Sequence, residues 1–189
     1  MEQTEAVHGW RLVGGSVASR RELGLTEPSF ATLSADTFRT EGFPIPVDTE
    51  KPTAEAGIAF VLGSRLAGPG ATVADALRAV DLVLPALEIA GAVVLGATPA
   101  SLSTVDLRLA GCVLYHRGSV AATGAGGVVL GSPLNALVCL ANTVGALEPG
   151  QIVLSGALTP PVEVVPGDSV LASVAGLGSV TAVLSGEQS

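Results

Sequence analysis

The apolar residues of this chain fall in short runs that glycine or proline cuts off, and that punctuation limits its fold more than any other feature. Ile58-Ala59-Phe60-Val61-Leu62 stops at Gly63, Ile152-Val153-Leu154-Ser155 stops at Gly156, and Val170-Leu171-Ala172-Ser173-Val174 starts just after Pro166-Gly167-Asp168. Runs of that length between turn residues read as strands. With 24 Gly, 12 Pro, 48% hydrophobic and only 3% aromatic residues, the composition describes a packed interior of Val, Leu, Ala and Ile rather than disorder. No apolar run reaches the roughly 18 unbroken residues of a membrane span, so no membrane partner is expected.

Pro85 to Val94, Val105 to Leu114 and Gly178 to Leu184 also read as strands. The spacing predicts a helix over Thr72–Val80 with Thr72 as its cap. A second is predicted over Leu134–Asn142, with Pro133 in its first turn and Ser132 as the cap. Short helical turns are expected at Arg20-Arg21-Glu22 and at Ala35–Arg39. Phe43-Pro44-Ile45-Pro46-Val47 should be extended, because each proline disfavours helix in the residue before it. The predicted class is mainly β (α+β), with a few helices packed on a folded sheet. Residues 1–50 are the most polar and are expected to form an arm, with 34–50 as a possible lid, and 51–186 the domain proper.

Seventeen acidic against nine basic residues give a formal charge of −8, which argues against a nucleic-acid partner. The acidic start, Met1-Glu2-Gln3-Thr4-Glu5, lacks a signal-peptide charge pattern, so a cytoplasmic location is expected. Cys112 and Cys139 sit in apolar surroundings and read as buried thiols.

Glu55 and Glu88 are the only carboxylates in two strongly apolar stretches, Ala54–Phe60 and Val83–Ile89. A buried carboxylate is costly unless a charge or hydrogen bond meets it. Two in similar settings point to one shared polar site, although each would also be stable at a wet strand end.

Four blocks carry a family resemblance: Glu55-x-x-Ile58-Ala59-Phe60-Val61-Leu62-Gly63, Pro85-Ala86-Leu87-Glu88-Ile89, Val129-Leu130-Gly131-Ser132-Pro133-Leu134-Asn135-Ala136-Leu137 and Gly150-x-x-Val153-Leu154-Ser155-Gly156-Ala157-Leu158-Thr159. With the closing Gly176-Leu177-Gly178-Ser179-Val180, they resemble the 2-hydroxypenta-2,4-dienoate hydratase and 4-oxalocrotonate decarboxylase group of the fumarylacetoacetate hydrolase superfamily. The resemblance spans about residues 9–184 and implies a mixed β-roll around a pocket, in a chain lacking much of the usual N-terminal segment. It also implies three carboxylates holding magnesium or manganese, which would bind a 2-oxo acid and stabilise its enolate.

Set against that pattern, the ligand count falls short. The family's Glu-x-Glu reads Glu55-Ala56-Gly57, and only Glu88 keeps the third carboxylate. Arg11 stands where the resemblance implies a Lys, and Ser29 where it implies an Asp. Arg stays protonated near neutral pH and makes a poor base. The expectation is therefore a site without a tight metal, with a weak magnesium or manganese site at Glu55 and Glu88 as the exception.

Glu55, Glu88 and Arg11 are the expected catalytic residues, two carboxylates sharing a proton beside a guanidinium. Ser29, Arg108, Tyr115, His116, Ser155 and Thr159 are candidates for substrate binding. For Arg108 a surface role, and for Tyr115-His116-Arg117-Gly118 a hairpin turn, are the structural alternatives. The expected activity is a metal-independent lyase, isomerase or cyclase acting on a small oxo acid or an enolisable secondary metabolite. The other expectation is a silent binding or assembly subunit of a related active enzyme. Self-association into a homo-oligomer is expected from the resemblance.

Overall fold

A computed structural model describes residues 7–186. In chain order they form β1 (Gly9–Val13), α1 (Val17–Glu22), β2 (Ser29–Leu33), β3 (Phe38–Arg39), β4 (Pro44–Pro46), β5 (Thr53–Leu62) and β6 (Leu66–Ala67). Next come α2 (Val73–Ala79), β7 (Val80–Ile89), β8 (Ala92–Leu95), β9 (Gly111–His116), β10 (Ser119–Ala125) and α3 (Leu134–Val144). The chain closes through β11 (Ala146–Leu147), β12 (Ile152–Ala157), β13 (Val162–Glu163), β14 (Ser169–Val174) and β15 (Gly178–Ser185).

One sheet has the order β2-β1-β12-β5-β7-β8-β3, with β13 also paired to β5. A five-stranded sheet has the order β10-β9-β14-β15-β4. The segment expected as an arm is woven into both: β1 to β3 lie in the first sheet and β4 pairs with β15 in the second. The part expected as a lid therefore contributes two paired strands.

Strand alternation decides what each face carries. Ala54, Ala56, Ile58 and Phe60 of β5 and Val83, Leu87 and Ile89 of β7 join the main core, with Leu114, Val170, Ala172 and Val180 from the second sheet. Burying each large aliphatic chain there stabilises the fold by roughly 1.5–3 kcal/mol. The opposite face of the first sheet holds a smaller apolar cluster of Leu33, Ala59, Leu84, Ala86, Val93 and Leu154. Glu55 and Glu88 belong to that second face.

Helix α2 starts with a reciprocal cap in which the Asp75 N–H donates to the Thr72 hydroxyl and the Thr72 N–H donates to the Asp75 carboxylate. Helix α3 buries Ala136, Leu137, Leu140 and Ala141 and ends at Gly145, whose φ of 93° suits glycine. Ser132 does not cap it. Pro133 takes the cap position without a side-chain bond, and the Asn135 amide instead ties the start down by donating to the Leu130 carbonyl at 2.8 Å.

Two expected strands are corrected. The run from Pro85 to Val94 is a hairpin, because Ala90 and Gly91 both adopt positive φ, 49° and 88°, and turn β7 directly into β8. The run from Val105 begins as turns, held by the Asp106 carbonyl and carboxylate accepting from the Leu109 and Arg108 N–H groups, and becomes strand only at Gly111. Cys112 is buried, Cys139 half-buried, and both are free thiols. Among the described residues no helix is long and apolar enough to cross a membrane.

Candidate active site

Three strands bring the site together. Pairing of β5 with β7 sets Glu55 directly opposite Glu88. Strand β1, parallel to β12 with Arg11 beside Leu154, supplies the third side chain. The Arg11 Nη1 lies 3.6 Å from the Glu88 Oε2, an ion pair rather than a close hydrogen bond, with the side chains 38% and 17% exposed. The buried Nε of Arg11 has no hydrogen-bond partner.

Burial pushes the Glu88 carboxyl up, Arg11 pulls it back, and the neighbouring Glu55 pushes it up again, leaving it at about 7. Glu55 is raised as well, chiefly by burial, against the pull of Arg11 and with a further push from Glu22 at the end of α1. A carboxyl poised near neutrality can both take and give a proton.

Of the sequence candidates, the structure brings Arg11, Glu55 and Glu88 together and places the others differently. Ser155 is fully buried at an irregularity in the β12–β5 pairing, with its hydroxyl donating to the Gly156 carbonyl at 3.2 Å. Thr159 is buried too, and its hydroxyl accepts the Ala56 N–H at 3.1 Å. Both hydroxyls are bonded to backbone. Ser29 is exposed at the edge, paired with Val13. Arg108 is a surface residue, 3.6 Å from Asp106.

Tyr115 and His116 belong to the second sheet. Tyr115 lines an open cleft of about 550 Å³ with Leu171, Ser173 and Thr181. His116 lines another of about 260 Å³, where its Nε2 bonds the buried Asp168 at 2.6 Å and the Arg117 Nε donates to the same carboxylate at 2.5 Å. Neither cleft contains Glu55 or Glu88. Arg117 and Gly118, with φ of 51° and 78°, make the β9–β10 turn that the structural alternative describes. Sequence reasoning missed Asp168, read only as part of a Pro-Gly-Asp turn, and Glu22, read only as helix; nothing local marks either as a charge partner.

The position of the missing carboxylate is tight against one backbone oxygen. A Cβ built on Gly57 would meet only the Gly156 backbone, with its oxygen 3.2 Å away. Hard divalent cations take several oxygen ligands. Among the described residues no group of three His, Cys, Asp or Glu could hold a metal. Two carboxylates, one of them already paired with a guanidinium, do not fit a three-carboxylate metal centre.

A curled sheet packed on a second sheet makes a fumarylacetoacetate hydrolase-like roll, and its first sheet carries a cross-strand carboxylate pair beside one guanidinium. No family model matches the chain. Relatives do: the chain is 41% identical to a TodF product hydratase of Pseudomonas putida, over 95% of this chain and 79% of that one. It is 39% identical to a 2-keto-4-pentenoate hydratase of Paraburkholderia xenovorans, over 91% and 76%. A solved 4-oxalocrotonate decarboxylase of Pseudomonas putida superposes with a TM-score of 0.87 at 29% identity, covering 96% of this chain and 79% of the other. That enzyme was solved complexed with calcium and acetate, and also with magnesium and adipate. The chain belongs to the 2-hydroxypentadienoate hydratase and 4-oxalocrotonate decarboxylase group of the fumarylacetoacetate hydrolase superfamily.

The first match runs over 211 aligned positions, more than the 189 residues of this chain, so the relative carries stretches inside the matched span that this chain lacks. The metal in the solved relative weighs against the expectation of metal-free chemistry, while the donor set here is one carboxylate short.

Proposed function

We propose that this protein is a lyase that adds water to, or removes it from, a small 2-oxo acid, using Glu88 and Glu55 as its proton carriers and Arg11 as its positive charge. The observation that carries the reading is the Glu55–Glu88 pair itself, set face to face across β5 and β7 with Arg11 at 3.6 Å and Glu88 at about 7. Its hydratase relatives support the reaction class.

In the dehydrating direction, the Glu88 carboxylate takes a proton from the carbon next to the oxo group. The electron pair moves onto the oxo oxygen as an enolate, whose charge the guanidinium offsets. Collapse of the enolate expels hydroxide from the following carbon, and the protonated Glu55 gives it a proton, releasing water and leaving a carbon–carbon double bond. Hydration is the reverse. One proton is accepted at Glu88 and one donated from Glu55, so a proton passes back from Glu88 to Glu55, which lie opposite each other, before the next turnover. No divalent ion enters this scheme, because the residues present do not complete its ligand set.

The test is hydration of a conjugated 2-oxo-3-enoate, followed by loss of its ultraviolet absorbance, in the presence and absence of a chelator. Turnover that survives chelation supports the reading, and turnover that needs added magnesium removes its metal-free part. One observation favours a second reading, a silent subunit that assembles with a related active enzyme. Neither described cleft encloses the carboxylate pair. A folded wild-type protein with no turnover under either condition, which forms a defined complex with an active relative in light scattering, would favour that role.

A further inference from the structure

A charged cleft lies apart from the carboxylate pair, where the start of β5 meets the β9–β10 turn. Lys51 precedes β5, Glu163 of β13 pairs with Thr53, and the Val164 N–H donates to the Pro52 carbonyl at 3.0 Å. From the other side the Arg117 N–H donates to the Ser169 carbonyl at 3.0 Å and ties the turn to β14. The space between is about 260 Å³, with Glu50, Lys51, His116, Arg117, Glu163 and Asp168 on its wall.

Asp168 organises two of those side chains. Its carboxylate is only 3% exposed. One oxygen accepts the Arg117 Nε–H at 2.5 Å, and the other meets His116 Nε2 at 2.6 Å and the Val165 N–H at 2.9 Å. Held at about 2, this carboxyl is ionised and can only accept, so Nε2 carries a hydrogen and a neutral His116 keeps its lone pair on Nδ1. Arg117 spends only its Nε here. Its Nη groups bond nothing among the described residues and the side chain is 63% exposed, which leaves a two-pronged end for a carboxylate.

Stability alone does not call for this arrangement. Arg117 and Gly118 both hold positive φ, 51° and 78°, and a two-residue turn of that kind favours Asn at its first position over a bulky side chain. A buried ion pair is often no better for stability than hydrocarbon of the same shape. What Arg117 adds is a fixed guanidinium at the cleft.

The remaining charges are of both signs and stay apart. Among the described residues, Glu50, Lys51 and Glu163 form no ion pair with one another or with Arg117. Two open cations and two open anions around one small space complement a ligand that brings both signs. The two glutamates also penalise a plain anion such as phosphate. We propose that this cleft binds a small amino acid, its carboxylate on the free Nη end of Arg117 beside Lys51 and its ammonium met by Glu50, Glu163 and the His116 Nδ1. The volume falls below the roughly 300–1,000 Å³ of pockets for drug-sized ligands and suits a molecule of that kind.

The experiment is a nuclear magnetic resonance titration of the nitrogen-15-labelled full chain at low ionic strength, where exposed charges are least screened. The probes are L-alanine and 4-aminobutanoate as zwitterions, and butanoate and inorganic phosphate as anions. The expected result is saturable movement of the amides of residues 116–119 and 164–169 and of the Arg117 Nε–H signal with at least one zwitterion. That binding should be at least tenfold tighter than for either anion, and Arg117→Gln should abolish it. In the double variant Glu50→Gln/Glu163→Gln, two exposed changes, butanoate should still bind and the gap should narrow to threefold or less, an outcome that misfolding cannot imitate. The proposal is overturned if neither zwitterion gives saturable movement, if an anion binds as tightly, if Arg117→Gln leaves binding intact, or if the double variant keeps the full gap.

Discussion

Arg11 enters from β1, and yet its guanidinium lies 3.6 Å from the Glu88 carboxylate on β7, with β12 and β5 between the two strands. The curl of the sheet closes that gap. The same contact lowers the Glu88 carboxyl against the upward push of burial.

Glu88→Gln should lower kcat by about 10²- to 10⁴-fold, the usual worth of a positioned acid–base group. The wild-type rate profile should show a limb near the Glu88 value of about 7, absent from the residual activity of the variant. Stopped-flow rates from pH 5 to 9 measure both.

The same carboxyl makes stability depend on pH with a definite sign. Its folded value, about 7, exceeds the ordinary carboxyl value of 4.5, so folding favours the protonated form. Stability tied to it is full below pH 4.5, declines as pH rises toward 7, and is flat above. Glu88→Gln should remove that decline, and at pH 8 the variant should be the more stable protein by an amount on the order of 3 kcal/mol. Urea melts at pH 5 and pH 8 give the comparison.

Replacing Arg11 with Gln removes the one influence that lowers both carboxyls. The limb near 7 should move to higher pH and the KM for a 2-oxo acid should rise about tenfold. A structural role alone would leave the position of the limb unchanged.

Gly57→Glu restores the second carboxylate of the family pattern in a space bounded only by the Gly156 backbone. The 3.2 Å approach to the Gly156 oxygen demands a shift of a few tenths of an ångström at the irregular β12–β5 pairing. The variant should bind Mn²⁺ at least tenfold more tightly than the wild type, read by electron paramagnetic resonance of the free ion.

Asp168→Asn tests a structural role on the other sheet. Burial pushes this carboxyl up, but hydrogen bonds from His116, the Val165 N–H and Arg117 outweigh it and hold the group at about 2. The stability it supplies is present above its ordinary value near 3.8 and lost as pH falls through about 2. The variant should lose about 1–3 kcal/mol of stability at neutral pH, with kcat unchanged.

Much of this was legible in the sequence for physical reasons. Glu55 and Glu88 stood out because a charge inside an apolar run needs a partner, and β5–β7 pairing makes each the neighbour of the other. Arg11 was found only through the family resemblance, since a guanidinium near a chain start has no local signature. The hairpin at Ala90–Gly91 was hidden inside a continuous apolar run, where one glycine gives little warning of a turn. Tyr115 and His116 were misplaced because strand order is not local. His116 is separated from the site by the packing of one sheet on another, which sequence spacing does not encode.

The pairing of β1 with β12 ties Gly9 to Ile152 and Arg11 to Leu154 across most of the chain. Closing so long a loop is entropically costly and slow relative to forming the β9–β10 or β14–β15 hairpins. On a ribosome, Glu55 and Glu88 can pair early and β1 can pair with β2, but nothing joins β1 to the β5–β7 pair until β12 has emerged. The Arg11 guanidinium then arrives as the closing piece, so the Arg11–Glu88 contact forms only after most of the polypeptide has been synthesised.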